Sequence, residues 1–174
     1  VSNHGSYYQW NVETEGAHSG TLEVANELYP YLFYDVVERD TERKTLLGAC
    51  DVVNATTLIP YLKECLHGFG LNHIESTDFI SFWIPLMLVH ENCAIRWSPS
   101  EYSVRVPLDV TGCTNTVQML RVFMEWGGVP LEATMIMGRK SEHTLNLFDR
   151  ENVARKCPDT TLVVEWGGRE ITIV

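Results

Sequence analysis

The chain is poor in positive charge. Its 13 Lys and Arg stand against 23 Asp and Glu, a formal charge of −10 with an isoelectric point near 5.0. That balance repels phosphate backbones and anionic lipid surfaces, and no Lys/Arg cluster offsets it, so nucleic-acid binding is not expected. Paired cysteine motifs are missing too. Cys50, Cys65, Cys93, Cys113 and Cys157 are widely spaced, with no C-x-x-C, which argues against a zinc ribbon or a thioredoxin-type site. Five thiols leave at least one free in a monomer, and the sequence does not choose a disulfide pairing. The sharp enzyme signatures are absent: no G-x-S-x-G elbow, no H-E-x-x-H, no phosphate-binding loop and no G-x-G-x-x-G. His67 and His73 flank a helix link, and His90 with Cys93 makes an H-x-x-C spacing. Two ligands are too few for a closed zinc site, so no metal and no cofactor are implied. The densest apolar run, Phe79 to Val89, is interrupted by Pro85 and too short to span a bilayer.

What is present centres on Thr56–His90. Leu58, Leu62, Cys65 and Leu66 fall on one stripe of a 3.6-residue period, which predicts an amphipathic helix with Cys65 as a small buried residue. Thr56 or Thr57 is the expected cap, Pro60 is tolerated in the first turn, and Gly68 is expected to supply a positive φ after the last turn. Asn72 with Glu75 three residues on is a capping-box spacing, which starts a second helix. That helix is apolar almost all round from Phe79, so burial on more than one side is expected, with a kink or stop at Pro85. Asp78 in its first two turns suits the helix dipole, as a histidine suits a helix end, without any catalytic role.

The flanking segments read as β. Before the helices, Thr21–Ala25, Tyr31–Val37 and Thr45–Val53 are expected strands. After them come Cys93–Trp97, Tyr102–Val106, Gln118–Trp126, Leu131–Met137 and Thr161–Trp166, rich in Val, Ile and aromatics. Gly138–Asp159 is polar and weakly patterned, a long loop with one helical turn near Glu151–Lys156. The organisation expected is an N-terminal arm over residues 1–20 and one α+β domain over 21–174. An antiparallel sheet, as sandwich or half-barrel, would carry a two-helix hairpin at about 56–90. The chain starts at Val1 with no basic-then-apolar leader, so a removed leader or a trimmed chain is expected. Asn54-Ala55-Thr56 is a glycosylation sequon, relevant only in a secretory setting.

One internal echo singles out candidate residues. Glu125-Trp126-Gly127-Gly128 and Glu165-Trp166-Gly167-Gly168 are forty residues apart, each between strand-like runs, which reads as two hairpins. A two-residue loop at Gly167-Gly168 would set Trp166 against Arg169 and Glu165 opposite Glu170. Opposed like charges invite a cation or a basic partner, whereas a longer loop would separate them in solvent. Glu125, Trp126, Glu165, Trp166, Arg169 and Glu170 are therefore the candidate binding residues. Trp83, Trp97, Trp126 and Trp166 could stack on sugars, against the plainer reading that they cover the core. Arg121 is expected in a structural ion pair with Glu125 or Glu165.

YLFYD at Tyr31–Asp35, GLNHIESTDFISFWIPLM at Gly70–Met87, RVFMEW at Arg121–Trp126 and VVEWGGREI at Val163–Ile171 together resemble a family of uncharacterised proteins, found mostly among bacterial surface or secreted proteins. The resemblance covers about residues 29–172. It implies an exported domain and no established activity, so no catalytic residue is carried over. The function expected is a non-enzymatic binding or adhesion module, secreted or at the cell surface, with a protein or glycan partner. A hydrolase using carboxylates near Glu165 and Glu170 is the other class, and a purely structural domain a third.

Overall fold

The computed structural model describes residues 2–3, 8–14, 22–36, 50–130 and 160–171. The chain divides into two compact units, Val1–Thr41 and Glu42–Val174. In the first, β1 (Ser2–Asn3) pairs with β2 (Tyr8–Gln9), and β3 (Glu13–Thr14), β4 (Leu22–Val24) and β5 (Glu27–Tyr29) form an antiparallel sheet in that order. Ala25 and Asn26 both take positive φ, 55° and 64°, the conformation of the tight turn whose twist matches a hairpin. The strand expected at Tyr31–Val37 is thus replaced by one ending before Pro30, and residues 31–36 are irregular.

The second unit is an α+β domain. Its sheet runs β6 (Asp51–Asn54), β7 (Asn92–Trp97), β8 (Thr116–Val129) and β9 (Thr160–Glu170), in that spatial order. The first two pairings are antiparallel, but β8 and β9 run parallel over Thr116↔Thr160 to Trp126↔Glu170, so the sheet is mixed. Expected strands at Leu131–Met137 and residues 45–49, the helical turn at 151–156 and Cys157 lie outside the described residues.

Helix α1 (Leu58–Gly68) buries the stripe its period demands: Leu58, Leu62 and Leu66 are fully buried and Cys65 nearly so. Its start differs from expectation. Thr57 makes no side-chain cap bond, and Asn54 instead accepts from the Thr56 N–H at 3.0 Å. Its end is a Schellman motif: the Leu71 N–H donates to the Leu66 carbonyl (3.0 Å) and the Gly70 N–H to that of His67 (2.9 Å). Gly70, at φ 90°, supplies the left-handed residue, and Gly68 is still helical.

Helix α2 (His73–Met87) opens on the capping box. The Asn72 N–H donates to Glu75 Oε2 (2.8 Å), and the Glu75 N–H donates to Asn72 Oδ1 (2.9 Å). Pro85 lies inside the last turn, and the helix ends two residues later. Only Phe79, Trp83 and Met87, at i, i+4 and i+8, are buried. Ile80 and Ile84 are half-buried against the same core, while Ile74, Phe82 and Leu86 stay exposed, so the helix is not buried all round.

One face of the sheet supplies the other half of the core. Cys93, Ile95, Trp97, Val122, Met124 and Trp126 meet α1 and α2, with Leu162, Val164 and Trp166 packed alongside. Burying these apolar side chains, at about 25 cal/mol per Å² removed from water, is the main stabilising term of the unit. The segment expected as strand Tyr102–Val106 is helix α3 (Pro99–Arg105), with Pro at its start and Glu101 in the first turn.

Candidate functional site

Both Glu-Trp-Gly-Gly segments lie within strands, not turns. This overturns the hairpin reading, and the steric surroundings give the reason. A Cβ on Gly168 would sit 2.7 Å from the Met124 carbonyl oxygen and 3.1 Å from the Trp83 ring. One on Gly128 would overlap the His90 ring. These glycines are needed for close approach, not for turn geometry.

Continuous strands also separate the residues that a hairpin would have joined. Along β9, Glu165 and Arg169 point to one face of the sheet, and Trp166 and Glu170 to the other. Glu165 and Glu170 are therefore not opposed, and Trp166 does not face Arg169. Trp126 is 1% exposed, Trp83 and Trp97 are buried, and Trp166 meets Phe79 edge-on at 5.5 Å. The tryptophans are core, and no exposed coplanar pair is available to a sugar.

On the face opposite α1 and α2, the sheet carries a charged layer that α3 adjoins. The register places Arg96 of β7, Glu125 of β8 and Arg169 of β9 in one row. Glu125, only 1% exposed, accepts from Arg96 Nε (2.8 Å) at Oε2 and from Arg169 Nε (3.0 Å) at Oε1, with Arg105 of α3 at 3.6 Å. The Nη2 groups of Arg96 and Arg169 bind the same carboxylate. Burial alone would raise the Glu125 pKa. The hydrogen bonds and charge of Arg169 and Arg96 outweigh it and hold the carboxyl below its ordinary 4.5.

Four residues along the same strands, Arg121 pairs with Glu165, whose Oε1 also accepts from the Tyr102 hydroxyl at 2.9 Å. Tyr102 stacks on Phe123 at 3.9 Å, and the Arg121 guanidinium lies over the Tyr102 ring at 4.6 Å. Arg96, Arg105 and Tyr102 complete this layer, and no short-range pattern in the sequence marks them. Only the register of β7 to β9 and the helical state of residues 99–105 bring them together.

Chemically, the buried acceptors of the layer are occupied. Its carboxylates already accept from guanidinium or phenol groups, which leaves Glu125 an ionised acceptor rather than a proton carrier. The buried thiols are not activated: burial raises Cys50, Cys65 and Cys93, the last, with help from Glu170, to about 11. Cys50, Cys65, Cys93 and Cys113 are free, the first three buried. Among the described residues no group of three or more His, Cys, Asp or Glu could hold a metal ion, and no helix is long and apolar enough to cross a membrane. An open depression of about 500 Å³ beside α3, lined in part by Pro99, Ser103, Asp109, Met119 and Arg121, assembles no reactive pair.

The outer side of α2 is different. Ile74 is 70% exposed, Phe82 45%, Leu86 48% and Val89 76%. Ile74, Asp78, Phe82 and Leu86 recur every four residues and so form a row winding slowly along the outer side of α2, and the exposed Val89 lies in the turn after its end. Single exposed apolar residues are common on any surface, but a contiguous row of them marks a contact surface. Sequence reasoning assigned this run to the core because nothing in an all-round apolar helix says which side stays open. No family model, curated protein or solved structure matches the chain.

Proposed function

We propose that the Glu42–Val174 unit is a non-enzymatic binding module whose partner is a protein. The exposed apolar residues Ile74 and Leu86 on α2, with Val89 in the turn that follows it, are the observation that carries this reading. Two further features support it. Glu165 is held in an ion pair with Arg121 and lies on the opposite face of the sheet from Glu170, and Trp83, Trp97, Trp126 and Trp166 pack in or against the core. The proposal extends to an exported parent protein, which the resemblance of residues 29–172 supports. Fractionation of the native cells tests that part, and a wholly cytoplasmic protein would contradict it.

The binding reading is tested by panning a phage-displayed random peptide library against the immobilised protein. Enriched peptides should lose binding to a Leu86→Ser, Val89→Ser double variant. No enrichment, or enrichment indifferent to the double variant, would overturn the reading.

A further inference from the structure

With its histidines (His67, His73 and His90) neutral, the segment that carries the open face of α2 bears charge of one sign. From Lys63 to Arg96 the chain contains no other Lys or Arg, while Glu64, Glu75, Asp78 and Glu91 fall within that span. Asp78 lies in the row between Ile74 and Phe82, and Glu91 stands two residues after the exposed Val89, with His90 between them. The surface is thus an apolar strip with a carboxylate towards each end, on a chain of net charge −10. A second copy would bring the same carboxylates and the same net charge against it. Anionic lipid would be repelled for the same reason.

Resting on the reading of α2 as a protein-binding surface, we infer that its occupant is a basic amphipathic helix of the partner, packed along α2. Its apolar side covers Ile74, Leu86 and Val89, and its Lys or Arg side chains reach Asp78 and Glu91. A helix laid on a helix presents residues at i, i+3, i+4 and i+7, which matches the spacing of the row it must cover. From Asp78 to the end of α2 at Met87 the helical rise gives about 14 Å, and Glu91 lies four residues beyond, so a partner helix of about 18 residues, about 27 Å long, is of a length to reach both. Electrostatic complementarity of this kind selects the partner and speeds its encounter, while the apolar strip holds it.

The probe is a fluorescent 18-residue peptide of Leu and Lys with all Leu on one helical face. A Leu/Glu peptide of the same pattern and a scrambled Leu/Lys peptide serve as comparisons. The Leu/Lys peptide should bind at least about tenfold more tightly than either, and weaken by about tenfold from 50 to 300 mM salt, as contacts between exposed charges do. Asp78→Asn with Glu91→Gln should remove most of the preference for Lys over Glu. Leu86→Ser with Val89→Ser should abolish binding, with unchanged circular dichroism.

Equal binding of the Leu/Lys and Leu/Glu peptides overturns the charge inference and leaves the protein-binding reading standing. Failure of the Leu/Lys peptide while library-selected peptides still need Leu86 and Val89 does the same. Binding indifferent to Leu86→Ser and Val89→Ser moves the peptide elsewhere and overturns the inference. Sedimentation showing a dimer that the same double variant dissolves makes a second copy the occupant, and also overturns it.

Discussion

Gly168 passes the indole of Trp83 so closely that a Cβ there would stand 3.1 Å from the ring and 2.7 Å from the Met124 carbonyl oxygen. The neighbouring glycine is unlike it: a Cβ on Gly167 would meet the Phe123 ring at 3.7 Å, ordinary van der Waals contact. Gly168→Ala should therefore cost about 1–3 kcal/mol, the range for overpacking against groups that cannot retreat. Gly167→Ala should be neutral or slightly stabilising, since it limits the unfolded chain at no steric cost. The urea midpoints of the two variants check this. Similar midpoints would remove the close-approach account of the Gly-Gly pairs.

Glu125 has a different dependence. Removing its charge by Glu125→Gln leaves Arg96, Arg105 and Arg169 around a neutral amide, and breaking a buried ion-pair group of this kind costs about 3–5 kcal/mol. The three guanidiniums are partly hydrated, which favours the lower end of that range. Equilibrium unfolding at neutral pH reads the loss.

The same carboxylate makes stability depend on acid. Its folded pKa lies below the ordinary 4.5, so its contribution is present above about that pH and is lost as pH falls through the folded value. Wild-type protein should lose stability more steeply than Glu125→Gln between pH 5 and 3, by about 1.4 kcal/mol for each unit of depression. Parallel curves for the two proteins would mean that Glu125 titrates alike in folded and unfolded chains.

The two sides of α2 should respond oppositely to truncation. Phe79→Ala removes a fully buried ring at the Trp83, Trp97 and Trp166 cluster and should cost about 3–5 kcal/mol. Leu86→Ser and Val89→Ser, on the open side, should stay within about 0.5 kcal/mol of wild type. Denaturant titration of the three variants separates core from surface on one helix.

Parts of this fold are legible because they are local. The α1 stripe follows from spacing alone, and the Asn72/Glu75 capping box from two residues three apart. Helix α3 is misread because Tyr102, Val104 and Val106 carry strand propensity, while Pro99 and Glu101, the start signals, are individually weak. The Gly-Gly pairs are ambiguous in principle: a turn and a crowded strand both demand glycine, and only the tertiary neighbours, His90 and Trp83, decide. Arg121 and Glu165 could be named as partners from their charges. Their register, and the row Arg96, Glu125 and Arg169, depends on a parallel pairing across 44 residues, which no local pattern encodes. The open side of α2 escapes for a related reason, since apolar residues on every side specify burial without choosing a direction.

The most direct measurement is thiol labelling at position 86. In a Cys113→Ser, Cys157→Ser background, Leu86→Cys is treated with a maleimide in native buffer, with buried Cys50, Cys65 and Cys93 as internal controls. Modification of Cys at 86 should be rapid, near the rate of the unfolded chain, and slowed by the Leu/Lys peptide while the three native thiols stay unreactive. Protection of that thiol to the level of Cys65 in the free protein would contradict an open contact surface on α2, and the proposed function with it.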